Sequence, residues 1–430
     1  MAGFLAWSGI AEAADWSQWR GPDFNGASPE TGLPVAWSSS NGVAWVAPLP
    51  GYSGATPAIS HDSIFVSSPN VQKELLLICL DRETGKEKWQ RVVGTGDREK
   101  GRNNMASPSP VTDGKTVWVL FATGDLAAFD FAGKRLWKRQ LAEEHGHFAN
   151  MWIYGASPLL HENRLYVQVL QRSPVPRDYS HAADGREERE SFLLCVNPAT
   201  GKDLWRHVRA TDAFSESMEA YSTPIPLERE GRTEILVVGA NYTTAHDPQT
   251  GAEIWRCGGL NPKGESYWRI VPSPVTGAGM VFVCGPKRDP VFAIRAGGKG
   301  NVTDSHLAWK FSEYPSDCVT PLLYQDRLFV LDGDRQMLTC LEPQTGRKIW
   351  QGSLGTREIF RASPTGADGR LYMISESGTV VITSAGETFE ILGTIRMGEP
   401  PVRSSIAVAY GQLFIRTGKN LYCIGETVKK

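Results

Sequence analysis

The chain has 430 residues, and 45 Lys and Arg against 47 Asp and Glu leave it almost neutral, which excludes a polybasic nucleic-acid or membrane-surface binder. Its 44 Gly, 27 Pro and 14 Trp suit many short strands joined by tight turns, with large rings filling the gaps. No apolar run approaches the roughly 18 residues that span a bilayer.

The N-terminus reads MAGFLAWSGIAEAADW. A brief apolar run over 4–10 and the small-x-small Ala11-Glu12-Ala13 outline a truncated signal peptide over residues 1–14, lacking a basic n-region. It implies export to the periplasm or beyond. Trp16-Ser17-Gln18-Trp19-Arg20-Gly21-Pro22 is expected to strap against the folded body with its rings packed in. Val43-Ala44-Trp45-Val46-Ala47 reads as a strand.

From there the chain repeats itself. DRETGKEKW ends at Trp89, NPATGKDLW at Trp205, DPQTGAEIW at Trp255 and EPQTGRKIW at Trp350, with the shorter DFAGKRLW ending at Trp137. Each is preceded by a Ser-Pro or Thr-Pro: Thr56-Pro57, Ser109-Pro110, Ser157-Pro158, Thr223-Pro224, Ser273-Pro274, Thr320-Pro321 and Ser363-Pro364, with Ser404-Ser405 in the eighth place. Steps of about 40 to 65 residues are those of propeller blades. The third unit predicts four strands, over 158–160, 165–169, 192–196 and 204–208. Asn197-Pro198-Ala199-Thr200-Gly201 makes the turn before the last, with Pro presetting φ and Gly ending left-handed.

A four-stranded meander with two apolar faces cannot stand alone, and stacking such meanders in a ring buries both. The predicted fold is therefore all-β: an eight-bladed β-propeller of four-stranded antiparallel blades, forming one domain over 15–430. The last unit has three strands, so the strand at Trp45 is expected to close the ring and remove an open edge. Unit five, with Gly297-Gly298-Lys299-Gly300 before Trp309, is looser. Unit seven replaces the turn and Trp with Ser384-Ala385-Gly386-Glu387-Thr388-Phe389.

A small residue recurs before each turn: Cys79, Ala128, Cys195, Ala245 and Cys340, with Ala293 and Cys423 in equivalent places. It leaves room for a docking ring at Trp89, Trp137, Trp205, Trp255, Trp309 or Trp350. Cys257, Cys284 and Cys318 remain, either free or with two of them in a disulfide. The run Cys79 to Trp89 resembles the tryptophan-docking motif of the PQQ-dependent dehydrogenases and the wider PQQ-like propeller family, close to Ala-x-Asp-x-x-x-Gly-Lys-x-x-Trp. The resemblance covers nearly the whole chain.

That resemblance implies three activities. The quinoprotein alcohol dehydrogenases hold pyrroloquinoline quinone (PQQ) with Ca²⁺ on the channel axis, under a vicinal disulfide. This chain has no Cys-Cys pair and no residues that align with the metal ligands. The propeller lipoprotein of the bacterial outer-membrane assembly machine is a non-enzymatic scaffold, although its N-terminal Cys is missing here. Propellers also host polysaccharide lyases. The leading expectation is a ligand- or protein-binding scaffold of the bacterial envelope, then a PQQ-dependent oxidoreductase acting on alcohols or sugars, then a carbohydrate-active lyase.

No catalytic residue is assigned and no metal site is predicted. No Ser-His-Asp arrangement or Gly-x-Ser-x-Gly elbow is visible, and Gly94-Thr95-Gly96 lacks the strand–helix context of a phosphate loop. His145 and His147 could meet a metal with Glu219 or Asp317, but their spacing does not demand one. The loops opposite the Thr-Gly turns should converge at the channel mouth. They carry Arg102, Asn104, His147, Asn150, Trp152, Glu219, Tyr221, Trp268, Arg269, Asp317, Arg361 and Arg403. Four arginines among aromatic rings suit a small anionic or planar ligand; the same residues could equally pair among themselves. The polar insertion at 172–190 is read as a lid, a partner-contact loop or plain surface. The expected partners are an envelope protein or that small ligand, bound by a monomer.

Overall fold

Both faces of each meander are apolar, so each needs a neighbour on either side. In the computed structural model, described over residues 14–38, 41–287 and 289–426, eight antiparallel sheets supply those neighbours to one another. The third is typical: Leu159–His161, Arg164–Val169, Phe192–Val196 and Asp203–Val208 pair in that order. The first strands, from Ala58–Ser60 through Leu322–Tyr324 to Ala407–Ala409, adjoin one another around the axis. Val43–Pro48 pairs with Asn420–Ile424 as the outer strand of the eighth sheet, with Trp45 opposite Cys423. The fold is an eight-bladed β-propeller closed by its own N-terminal strand. The signal-peptide outline falls on residues outside the described ones, except Ala14.

The docking pairs stand directly opposite each other in register: Cys79 and Trp89, Ala128 and Trp137, Cys195 and Trp205, Cys340 and Trp350. Each ring also reaches the next blade. Trp89 Nε1 donates to Phe131 O at 2.9 Å, Trp137 Nε1 to Pro198 O at 2.8 Å, Trp205 Nε1 to Pro248 O at 3.1 Å and Trp309 Nε1 to Pro343 O at 3.0 Å. Gly201 lies under the Trp137 ring at φ +73°, where a Cβ would stand 2.7 Å from Cε3. The turn glycine is thus needed twice, for its conformation and for the close approach.

Trp255 departs from this pattern. Blade five offers no Thr-Gly turn, so its Nε1 donates to Glu234 Oε2 at 2.7 Å within its own blade. The loose Gly300–Asn301 segment instead adds a parallel fifth strand beside it. In blade seven the altered turn still receives its neighbour's ring: Trp350 Nε1 donates to Gly386 O at 2.9 Å, and Phe389 packs against the indole, 5.5 Å between centroids.

The Ser/Thr-Pro dipeptides form a second circuit. Thr56 N donates to Ser109 Oγ, Ser109 N to Ser157 Oγ, Ser157 N to Thr223 Oγ1, Thr223 N to Ser273 Oγ, Ser273 N to Thr320 Oγ1, Thr320 N to Ser363 Oγ and Ser363 N to Ser405 Oγ, all within 2.8–3.1 Å. Seven hydrogen bonds therefore link eight inner strands.

The N-terminal strap crosses these strands. Trp16 is buried and exchanges backbone hydrogen bonds with Ile59, while Thr112 N donates to Ser17 O. Arg20 is 1% exposed and donates to Pro364 O (2.8 Å), Pro321 O (3.0 Å) and Asn25 O (2.8 Å). Burial lowers its pKa to about 9, still well above neutrality. The insertion at 172–190 packs inward: Tyr179 and Ala182 are buried against Ala149. All seven cysteines are free, which corrects the disulfide considered among Cys257, Cys284 and Cys318. Cys257 and Cys284 lie buried in strands of different blades, and Cys318 Sγ turns to Asp317 Oδ2 at 3.5 Å.

Candidate functional site

Connections into the inner strands converge because each blade brings its own to the axis. There they enclose a cavity of about 290 Å³ lined by Arg102, Trp152, Tyr221, Arg269, Arg361 and Arg403, together with Trp19 of the strap, Cys318 and ring hydroxyls. Among the described residues no Asp or Glu lines it.

The carboxylates nearby hold the arginines in place. Arg269 pairs with Glu216 and Asp317, each at 3.4 Å, and Arg361 with Asp334 at 2.5 Å. Glu376 holds both Arg102 (2.9 Å) and Arg403 (3.1 Å), and Arg403 Nη1 also donates to Tyr52 Oη at 3.2 Å. Burial works against the Arg269 charge, but Asp317 and its neighbours more than offset it and raise the pKa. Burial likewise opposes ionisation of Asp317, yet Arg269 and the Lys287 N–H hold its pKa below the ordinary range. Arg269 Nε and Nη1 and Arg361 Nε have no hydrogen-bond partner among the described residues. Burial, reinforced by Asp317, pushes the Cys318 thiol up to about 12, so it stays protonated and weakly nucleophilic.

Six of the sequence candidates thus meet at the cavity, and the other six lie elsewhere. Asn104 is fully buried and donates to Tyr52 O at 2.7 Å, tying its loop to the connection that leads into blade one. Asn150 donates to Leu170 O at 2.9 Å, and Trp268 Nε1 to Leu260 O at 2.6 Å. Asp317 stands behind Arg269. Glu219 is buried behind Tyr221, accepting from Tyr221 Oη (2.9 Å), Tyr179 Oη (2.6 Å) and Met151 N (2.7 Å). Burial raises the pKa of its carboxyl despite these donors. His147 is exposed at the insertion, its backbone N–H donating to Asp184 Oδ2 at 2.9 Å. It lines a separate groove between blades one and two. Among the described residues no three His, Cys, Asp or Glu side chains gather as a metal-ion set.

Sequence reasoning did not foresee Trp19, Cys318 or the ring hydroxyls at this cavity. The Ser/Thr before each Pro recurs plainly enough, but periodicity alone marks it as a strand start rather than as cavity wall.

Comparison with known proteins agrees with this architecture. A family model described as outer membrane protein assembly factor BamB matches residues 28–172 and 239–388. No curated protein matches the chain. Among solved structures, BamB from Moraxella catarrhalis aligns with TM-score 0.63 at 14% identity, covering 89% of this chain and 99% of that one. A europium-containing methanol dehydrogenase aligns with TM-score 0.68 at 10% identity, covering 94% and 90%. The quinohemoprotein alcohol dehydrogenase ADHIIG from Pseudomonas putida HK5 gives 0.65 at 12%, covering 97% and 81%. At such identities these structures speak for the fold alone. No helix among the described residues is long and apolar enough to cross a membrane. The family model spans more than half of the sequence, and this chain belongs to the PQQ-like β-propeller family that it describes as outer membrane protein assembly factor BamB.

Proposed function

We propose that this protein is a non-catalytic binding module of the bacterial envelope, periplasmic or secreted, whose recognition element is the arginine-lined axial cavity and its rim. One observation carries the reading: four arginines face the cavity while the carboxylates that hold them stand outside it. Such a wall is preorganised to bind, and it has no group suited to general-base chemistry: Cys318 is protonated and Tyr221 is committed to Glu219. The family's description as an assembly factor supports docking of an envelope protein at the same rim.

Likeness to quinone-dependent dehydrogenases raises a second reading, an oxidoreductase using PQQ with Ca²⁺. Calcium takes roughly six to eight oxygen ligands, carboxylates prominent among them. Here Glu216, Asp317, Asp334 and Glu376 are committed to arginines, and none reaches the cavity wall. The residues present do not fit a calcium-held cofactor, and no redox step follows from them.

One experiment separates the two readings. Purified protein is mixed with PQQ and Ca²⁺ and assayed for dye reduction with alcohols and sugars. The binding-module reading expects no turnover; saturable turnover would overturn it.

A further inference from the structure

The hydroxyl circuit has chemistry to spare. Each hydroxyl accepts a backbone N–H from the preceding blade, which leaves its own proton to donate. Among the described residues no protein acceptor takes that proton from Ser109, Ser157, Thr223, Thr320, Ser363 or Ser405. All six line the axial cavity. Four guanidinium groups share the wall, and among the described residues no carboxylate does. The cavity is therefore rich in donors and poor in acceptors. Its volume, about 290 Å³, sits at the lower end of ligand-sized cavities.

We propose that the ring of inner-strand hydroxyls and the four arginines form an axial oxyanion site, taking a small phosphate- or carboxylate-type anion either free or as the charged end of a compact organic molecule. Guanidinium forks match the planar and tetrahedral oxygens of such groups. Hydroxyls held at fixed angles by their N–H partners add donors that need no reorganisation. Trp19 and Trp152 in the same wall offer flat apolar surface to an organic remainder. The proposal takes its location from the binding-module reading and specifies the chemistry of that site.

The test is calorimetric titration of the full chain at low ionic strength, in phosphate-free buffer containing EDTA and no quinone. Orthophosphate and phenyl phosphate are the probes, and glucose is the neutral control. One-site binding of either anion is expected, without glucose binding. Tighter binding of phenyl phosphate would assign the site to the end of an organic molecule; equal affinities would assign it to the free ion. Thr320→Val should weaken binding about tenfold while Thr320→Ser should largely keep it, since Ser retains the hydroxyl that Val lacks. Arg102→Gln, at a half-exposed side chain, should weaken binding several-fold, with an unchanged thermal melt confirming folding. Absence of stoichiometric anion binding overturns the proposal, as does equal weakening by Thr320→Val and Thr320→Ser. Because this titration reads no turnover, its failure is distinguishable from failure of the binding-module reading, which dye reduction tests.

Discussion

The backbone N–H of Thr320 donates to Ser363 Oγ at 3.0 Å, tying the inner strand of blade six to that of blade seven. Both residues are almost fully buried where they line the cavity wall, so the N–H has little access to water. Ser363→Ala should cost about 1–3 kcal/mol by stranding a buried donor, and Ser363→Thr should cost far less. Urea unfolding of the two variants checks this; equal losses would show that shape rather than the hydroxyl matters.

Gly201 carries the Trp137 ring. Gly201→Ala must hold Ala at φ +73° and place a methyl 2.7 Å from the indole. Gly231 has a similar φ of +72° with open space around it, so Gly231→Ala isolates the backbone cost of about 1 kcal/mol. The Gly201 variant should lose about 2 kcal/mol more through ring displacement. A melting comparison in which the two variants coincide would dismiss the role of Trp137 docking.

Arg20 is a buried cation whose hydrogen bonds go to three carbonyls, two of them on blades six and seven. Arg20→Met should destabilise by about 2–4 kcal/mol, because Pro321 O and Pro364 O lose their donors. It should also loosen the strap over the channel, making backbone amides of residues 16–21 exchange hydrogen faster.

His246 gives the protein a pH signature. Its Nδ1–H donates to Gly251 O at 3.1 Å, and Nε2 takes a hydrogen bond from Thr244 Oγ1 at 2.9 Å. Burial, aided by Arg209 and His207, lowers its pKa to about 4 from 6.5. The folded state therefore resists the proton, so this contribution is complete above pH 6.5 and is lost as pH falls toward 4, by about 3 kcal/mol in all. Asp97, raised to about 6 mainly by burial, acts with the opposite sign in this window. The difference between wild type and His246→Gln isolates the histidine. A variant whose unfolding free energy falls as steeply between pH 6.5 and 4 would refute the assignment.

The cysteines should be inert. All are unpaired, six of them buried, with thiols such as Cys284 and Cys340 pushed up to about 12 by burial. Melting should not shift on adding reductant, and thiol reagents should label the native protein slowly. Fast labelling of two or more thiols would contradict this packing.

Local chemistry that repeats is legible in the amino-acid sequence. Asn197 to Gly201 needs a left-handed glycine whatever surrounds it, and Cys195 opposite Trp205 follows from strand register, so the turns, the blades, their number and the closing strand at Trp45 can all be read there. Legibility fails where a blade borrows from its neighbour. Trp255 reads like its siblings, yet the blade after it has no turn to receive the ring, and the indole turns to Glu234 instead. The candidate site divides in the same way. Loops that share a face bring Arg102, Arg269, Arg361 and Arg403 together, because ring closure forces them toward one axis. Which side chains face that axis is another matter. Glu219 and Tyr221 are two residues apart and both buried, and only packing decides that Tyr221 lines the cavity while Glu219 stands behind it. The blade and the ring follow from the amino-acid order, because their rules act between residues near one another in the chain or in register. Tertiary structure alone decided that the carboxylates stand behind the arginines and the hydroxyls stand in front, since those relations join residues from different blades with no spacing to announce them.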